Sequence, residues 1–270
     1  MSEQKQNNVR EVGRRGFTLI ELLVSISIMA ALMSILLPSM NRAREQGQRV
    51  VCQNNMRQLS LAWYMYATDY EDHLCSADTK WNDQGANHWV ADGPLMPPGN
   101  PVGGTEEAIK SGVLWWPYAG RSTDLYRCKT DASGLLRSYS ISRTMNGKTC
   151  NCEHDNIKAF RTLGEISRPS EKLVFIDASS RERWIDGSFS PVRDIEAQVP
   201  QWPLTQTSHN ITARHGEGCN ISLADLHCEY WKWKDRRTVK LANWEIAPQD
   251  ASIGNLDLQR MVGMLKGVGQ

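Results

Sequence analysis

The sequence predicts an α+β protein: one long N-terminal helix, half apolar and half amphipathic, packed on a small, mainly antiparallel β-sheet domain. Three observations predict it. Residues 17–37 form an apolar run with a single charge, Glu21, and neither Pro nor Gly. Beyond it, Cys52, Met56, Leu59, Trp63, Tyr66 and Tyr70 recur at spacings of 4, 3, 4, 3 and 4, drawing one stripe down a helix. After Asp72 the chain changes to short apolar runs bounded by turn residues, the pattern of strands.

The apolar run comes first. At 1.5 Å per residue it spans about 30 Å, the hydrocarbon thickness of a bilayer. A removed signal peptide is the rival reading, but its core is shorter, about 7–15 residues, and ends in small residues. Here Pro38, Ser39 and Met40 follow, then polar sequence, which favours a membrane helix. Orientation stays open on charge alone: Lys5, Arg10, Arg14 and Arg15 precede the run, and Arg42, Arg44 and Arg49 follow it. Glu21 is the anomaly, because a carboxylate in hydrocarbon costs about 2–3 kcal/mol or more. Either it snorkels to the interface, or a neighbouring subunit supplies its partner.

Past Pro38 the helical pattern continues to about Tyr70. Arg49, Gln53, Arg57, Gln58 and Ser60 fall on the face opposite the apolar stripe. The stripe reads as packing on the protein's own sheet, with a bend at Pro38. Residues 92–104 are rich in Gly and Pro and read as a loop. A short helix is expected over 105–111, with Thr105 as N-cap and Glu106 and Glu107 in its first turn. Leu114-Trp115-Trp116-Pro117-Tyr118 reads as a buried anchor. Strands are expected at 136–142, 173–176, 220–224 and 228–233, the last two as a hairpin around Asp225-Leu226. That register makes Cys228 share a face with Leu223 and Tyr230, and so reads as buried.

Composition sets the bounds. A net charge of +1 over 270 residues gives no global steering towards nucleic acid. The seven cysteines include one close pair, Cys150 and Cys152, with no second pair at zinc-finger spacing. No phosphate loop, dinucleotide fingerprint or nucleophile elbow occurs, and Ser179-Ser180 after Asp177 lacks the glycine frame of one. The chain therefore reads as a non-enzyme. His215, Asp225 and His227 fall close together in sequence; a transition-metal site and a structural hydrogen bond both fit, and the structural bond is favoured.

Arg14-Arg15-Gly16-Phe17-Thr18-Leu19-Ile20-Glu21, followed by the uninterrupted span and Pro38, resembles the type IV prepilin processing motif. The resemblance implies cleavage between Gly16 and Phe17 by a prepilin peptidase and N-methylation of Phe17. It makes Glu21 the charge that pairs with the terminal amine of a neighbouring subunit, and Pro38 the helix-bending proline. It implies a pilin-like architecture: leader 1–16 in the cytoplasm, transmembrane and assembly helix 17–37, amphipathic extension 38–72, and extracytoplasmic domain 73–270. The implied location is a bacterial inner membrane, crossed once. Implied partners are the peptidase, other pilin-like subunits and an inner-membrane assembly platform, as in a type II secretion-type pseudopilin or a type IV pilus-like filament.

Further patches resemble the prepilin-type proteins whose C-terminal domain is named for His, nine residues, then Asp-Gly. They are Val51-Cys52-Gln53-Asn54-Asn55-Met56-Arg57-Gln58-Leu59, the stretch from Leu114 to Tyr118 with Tyr126-Arg127-Cys128, and Ser138-Tyr139-Ser140 with Met145-Asn146-Gly147. His215 and Asp225 have the named spacing, but Leu226 stands where the pattern has Gly. A two-residue type I′ turn disfavours Leu, so another turn type or a relaxed role is expected. Cys52 and Cys128 stand at positions like that subgroup's and are the implied disulfide. Pseudopilins also make a structural Ca²⁺ conceivable, though His is not its usual ligand. The alternative to a filament subunit is a membrane-anchored binding domain, for carbohydrate through the tryptophans, that uses the motif only for processing.

Overall fold

The structure, a computed structural model, describes residues 17–77, 87–90, 105–147, 158–179, 188–189, 202 and 211–266. The leader with Gly16, the Gly/Pro-rich segment 92–104, Cys150, Cys152 and Ser180 lie outside them. The chain divides into two compact units, Met1–Arg44 and Glu45–Gln270.

Helix α1 (Leu19–Asp69) starts with a capping box. The Thr18 amide donates to Glu21 Oε2 at 2.9 Å, and the Glu21 amide donates to Thr18 Oγ1 at 3.2 Å. Pro38 lies inside the helix and does not end it. In the first unit the apolar side chains face outward, Leu19 being 86% exposed, and the most apolar window has a mean hydropathy of 2.4. A helix that exposes such a surface needs lipid or other helices around it.

In the second unit α1 buries Cys52, Met56, Leu59, Ser60, Ala62, Trp63, Tyr66 and Ala67. The sequence stripe is right up to Tyr66. Tyr70 is 50% exposed and stacks on Tyr66 at 4.4 Å, while Ser60, expected on the polar face, is buried. The buried arc is wider than the stripe because a helix lying on a sheet buries about 100° or more of its surface.

The sheet has the order β3-β1-β2-β4-β5, formed by β1 (Tyr139–Ser142), β2 (Leu173–Asp177), β3 (Ser188–Phe189), β4 (Gly218–Leu223) and β5 (Cys228–Lys232). Three pairings are antiparallel and β1–β3 is parallel, as the mainly antiparallel reading requires. Strand β1 is shorter than expected: it begins at Tyr139, and Ser138 before it accepts the Ala178 amide while donating its own to the Tyr126 carbonyl. One core cluster joins α1 to Tyr139, Ile141, Val174 and Phe175. Another joins Leu173, Ile176, Cys219, Ile221 and Trp231 to Leu258, Met261 and Leu265 of α5 (Leu256–Leu265). A register shift between Leu173 and Phe175 accounts for Val174 and Phe175 belonging to the same cluster, since strict alternation would part them. The smaller helices are α2 (Glu106–Lys110), capped by Thr105 as expected, the turn-like α3 (Arg214–Glu217) and α4 (Arg236–Ala242).

The anchor reading of 114–118 needs correction: Leu114 is buried, but Trp116 is 59% exposed beneath the Arg121 guanidinium. Cys228 is only half-buried, because it pairs with Ser222 and the hairpin loop is longer than two residues. The Leu226 amide donates to the Leu223 carbonyl, and the Leu223 amide to the His227 carbonyl, so the loop is Ala224-Asp225-Leu226. Leu226 takes the left-handed conformation at φ 70°, the place in such a three-residue loop that suits Gly. The left-handed region costs an L-residue about 1–2 kcal/mol, partly offset by the backbone entropy a glycine loses on folding. Leu226→Gly is therefore expected to raise stability by about 0.5–1 kcal/mol. Leu226→Ala, which keeps the Cβ, should not, and urea midpoints of the two variants check it.

Candidate functional site

On the α1 side of the sheet, neighbouring strands supply a row of polar residues: Tyr139 of β1, Asp177 of β2 directly opposite it, and Asn220 of β4. The Asn220 amide donates to Asp177 Oδ2 at 2.9 Å. Cys52 of α1 belongs to the core cluster on this side, and two loops complete the site.

The first loop brings Cys128. Its amide donates to Ser138 Oγ at 3.0 Å, and the Ser138 hydroxyl donates to Asp131 Oδ2 at 2.6 Å. Asn55, one helical turn after Cys52, donates from its side-chain amide to the carbonyls of Asp124 and Arg127, at 3.1 and 3.3 Å. This clamp registers the loop against α1. The two sulfurs, Cys52 Sγ and Cys128 Sγ, lie 2.9 Å apart, and both residues are fully buried.

The second loop is α3. His215, Gly216 and Glu217 are all left-handed, with φ of 62°, 79° and 63°. A backbone so constrained needs external ties. The Tyr230 hydroxyl donates to the Gly216 carbonyl at 2.7 Å, and the Trp233 indole to the Thr212 carbonyl at 2.8 Å. Gly218 follows because a Cβ there would meet the Trp231 carbonyl oxygen at 2.2 Å. The turn aims His215 Nε2 at Cys128 Sγ, 3.2 Å away, with Asp177 Oδ2 at 4.0 Å. It also sends Arg214 to Asp131 at 2.8 Å and to the Ala178 carbonyl. Thr130 Oγ1 touches the same sulfur at 2.9 Å.

Electrostatics divide the two thiols. Cys128 is lowered by its hydrogen bond with Cys52 and, against the cost of burial, by His215, Arg214 and Thr130. Cys52 is raised by the same contact with Cys128 and by burial. Burial pushes Asp177 up to about 6, against the pull of Arg214. Asp177 Oδ1, His215 Nδ1 and both side-chain polar atoms of Asn220 have no hydrogen-bond partner among the described residues.

The Asp177 shift has a definite sign. An unfolded aspartate titrates near 3.9, so between about pH 4 and 6 the folded state binds more protons. Stability from this group is present at low pH and falls as pH rises through 6, by about 2–3 kcal/mol. Asp177→Asn keeps an acceptor for the Asn220 amide and removes the titration. The variant should gain on wild type by that amount between pH 4 and 7 in urea melts.

His215 and Asp225, paired by their sequence spacing, are not brought together. His215 is buried before β4, while Asp225 is exposed in the hairpin loop beyond that strand and accepts the His227 amide at 3.0 Å. Cys52 and Cys128 do meet. Sequence reasoning missed Asn55, Asp131 and Arg214; the Asn55 next to the cysteine motif and the Arg214 beside His215 were the signals at hand. The donors Cys52 Sγ, Cys128 Sγ and a His215 ring nitrogen lie within 4.8 Å of one another. Two thiols and an imidazole suit a soft or borderline cation, whereas Ca²⁺ takes 6–8 oxygens.

No curated protein and no solved structure matches the chain. The family model described as the prokaryotic N-terminal methylation motif matches residues 13–37. The motif implies processing by a prepilin peptidase and a pilin-like role, and it lies where α1 begins and exposes its apolar surface.

Proposed function

We propose that the chain is a pilin-like structural subunit, most similar in role to a pseudopilin of a type II secretion-type system. It enters the inner membrane with residues 1–16 in the cytoplasm and residues 73–270 outside. A prepilin peptidase cuts between Gly16 and Phe17 and methylates Phe17, and an assembly platform stacks the processed subunits. The observation that carries this reading is the methylation motif at the head of a helix whose apolar side chains are exposed. In a filament those side chains bury one another, which replaces lipid contact by helix packing. Pro38 then serves as the bend, and Glu21 as the charge that meets the amine of a neighbour.

The alternative is a membrane-anchored domain that binds carbohydrate through tryptophans and uses the motif only for processing; Trp63, Trp89, Trp202, Trp231 and Trp233 are core residues, whereas Trp116 is exposed. Mass spectrometry of the chain from its native membrane tests the main reading. The expected N-terminus is Phe17 carrying one methyl group, about 14 Da. An intact Met1, or a cut beyond Ser39, would overturn it.

A further inference from the structure

Around Cys128 the loops beside the sheet supply most of the contacts. Thr130 and His215 contact its sulfur, and Arg214, held by Asp131, stands behind them. Helix α1 adds Cys52, whose sulfur stands 2.9 Å from that of Cys128, and Asn55, which holds the carbonyls of Asp124 and Arg127. Non-bonded heavy atoms rest at about 3.5–4.0 Å, so two thiols held this close are poised to react or to share a ligand. His215 is placed there by three consecutive left-handed residues, a local cost of about 1–3 kcal/mol each for the two that are not glycine. Packing alone does not call for an imidazole in that position.

We propose that Cys52 and Cys128 form a disulfide fastening α1 to the sheet domain, and that His215 is the proton acceptor for the attacking sulfur of Cys128. The oxidant is a disulfide, either a thiol–disulfide carrier protein or a small-molecule disulfide. Cys128 gives its proton to His215 and attacks one sulfur of the donor, forming a mixed disulfide and releasing a donor thiolate, which takes the proton. As α1 docks, the Cys52 sulfur attacks Cys128 Sγ and expels the second donor thiol. Two electrons and two protons pass to the donor. Burial sets the timing: both sulfurs are sealed once α1 is in place, so the donor is met before α1 docks, and the His215 contact makes Cys128 the sulfur that meets it. This gives the histidine of the His-x₉-Asp spacing a role that Asp225 does not share.

The inference rests on the proposed topology only for where oxidation occurs, so the test is made in vitro. The full-length chain is reduced and unfolded in denaturant, refolded into detergent with a glutathione redox buffer, quenched with acid, alkylated and mapped without reduction. The expected product links Cys52 to Cys128 and leaves Cys75, Cys219 and Cys228 alkylated. Cys52→Ser should trap glutathione on Cys128. His215→Asn, chosen because Asn tolerates the left-handed backbone, should form the same link about tenfold or more slowly. The groups facing Cys128 are Cys52 of α1, Tyr139 of β1, Asp177 of β2, Asp131 of its own loop, and Arg214 and His215 of α3. With these in place, mixed-disulfide formation on Cys128, read in Cys52→Ser, should slow less as pH falls than it does for an ordinary thiol near 8.5. That profile keeps the histidine's role testable if His215→Asn does not fold.

No link in an oxidising buffer overturns the disulfide. So does one equivalent of tightly held zinc or copper in the isolated chain, with both thiols protected. A wild-type rate in His215→Asn, or an ordinary thiol pH profile, overturns the role of His215. Protease shaving of spheroplasts tests the topology separately, and its failure would leave these in vitro outcomes standing.

Discussion

Glu21→Ala is expected to leave cleavage after Gly16 intact and to remove the subunit from any filament. The carboxylate has two duties that variants can separate. Within its own chain it closes the capping box with Thr18, worth about 1 kcal/mol to the start of α1. In an assembly it offers a negative charge to an amine, a charge-assisted contact of about 2–3 kcal/mol. Loss of the second contact lowers incorporation about 30–150-fold. Glu21→Gln keeps a capping side chain without the charge and should fail like Ala. Thr18→Ala breaks the box, keeps the charge and should still be incorporated. Co-purification of tagged variants with untagged subunits reads all three. Normal incorporation of Glu21→Gln would sink the charge-pairing account.

Trp63→Ala should cost about 3–5 kcal/mol and release the lower part of α1 from the sheet domain. Trp63 is fully buried in the cluster that α1 shares with Tyr139 and Phe175. Truncation leaves a cavity between a helix and a sheet, neither of which can close it without shifting register. Trp63→Phe provides the contrast. The Trp63 indole nitrogen is buried with no hydrogen-bond partner among the described residues, so its removal relieves a desolvation cost of about 1–3 kcal/mol. The Phe variant should therefore lose clearly less stability than Ala. Denaturant melts with tryptophan fluorescence and amide exchange along residues 52–69 measure both effects. Equal losses in the two variants would show that the orphan N–H carries little cost.

Much of the fold could be read from periodicity. The stripe from Cys52 to Tyr66 repeats once per helical turn, and Leu173 to Ile176, a short apolar run between Pro169 and Asp177, has the pattern of a buried strand. Tyr70 was misplaced because a stripe says which residues share a face but not where the sheet stops covering it. Cys228 was misplaced for another reason: adding Ala224 to the hairpin loop changes the register of everything after it. The Cys52–Cys128 meeting was visible only through a family likeness, since two cysteines 76 positions apart carry no local signal of contact. How the surroundings of His215 come together was not legible. They depend on a left-handed turn, on Ser138 and on Arg214, each drawn from a different segment, and on Asn55 fixing the loop from the helix.

The sheet also determines where subunits can join. Its outer strands, among the described residues, are the two-residue β3 and β5, which carries Glu229 and Lys232. Short or charged borders are poor templates for pairing with a strand of another molecule. Edge-to-edge growth, the ready route from a folded sheet to an uncontrolled fibre, is disfavoured at both described edges. In the proposed filament, subunits would then join through the apolar flank of α1, the surface that lies directly after the processing site.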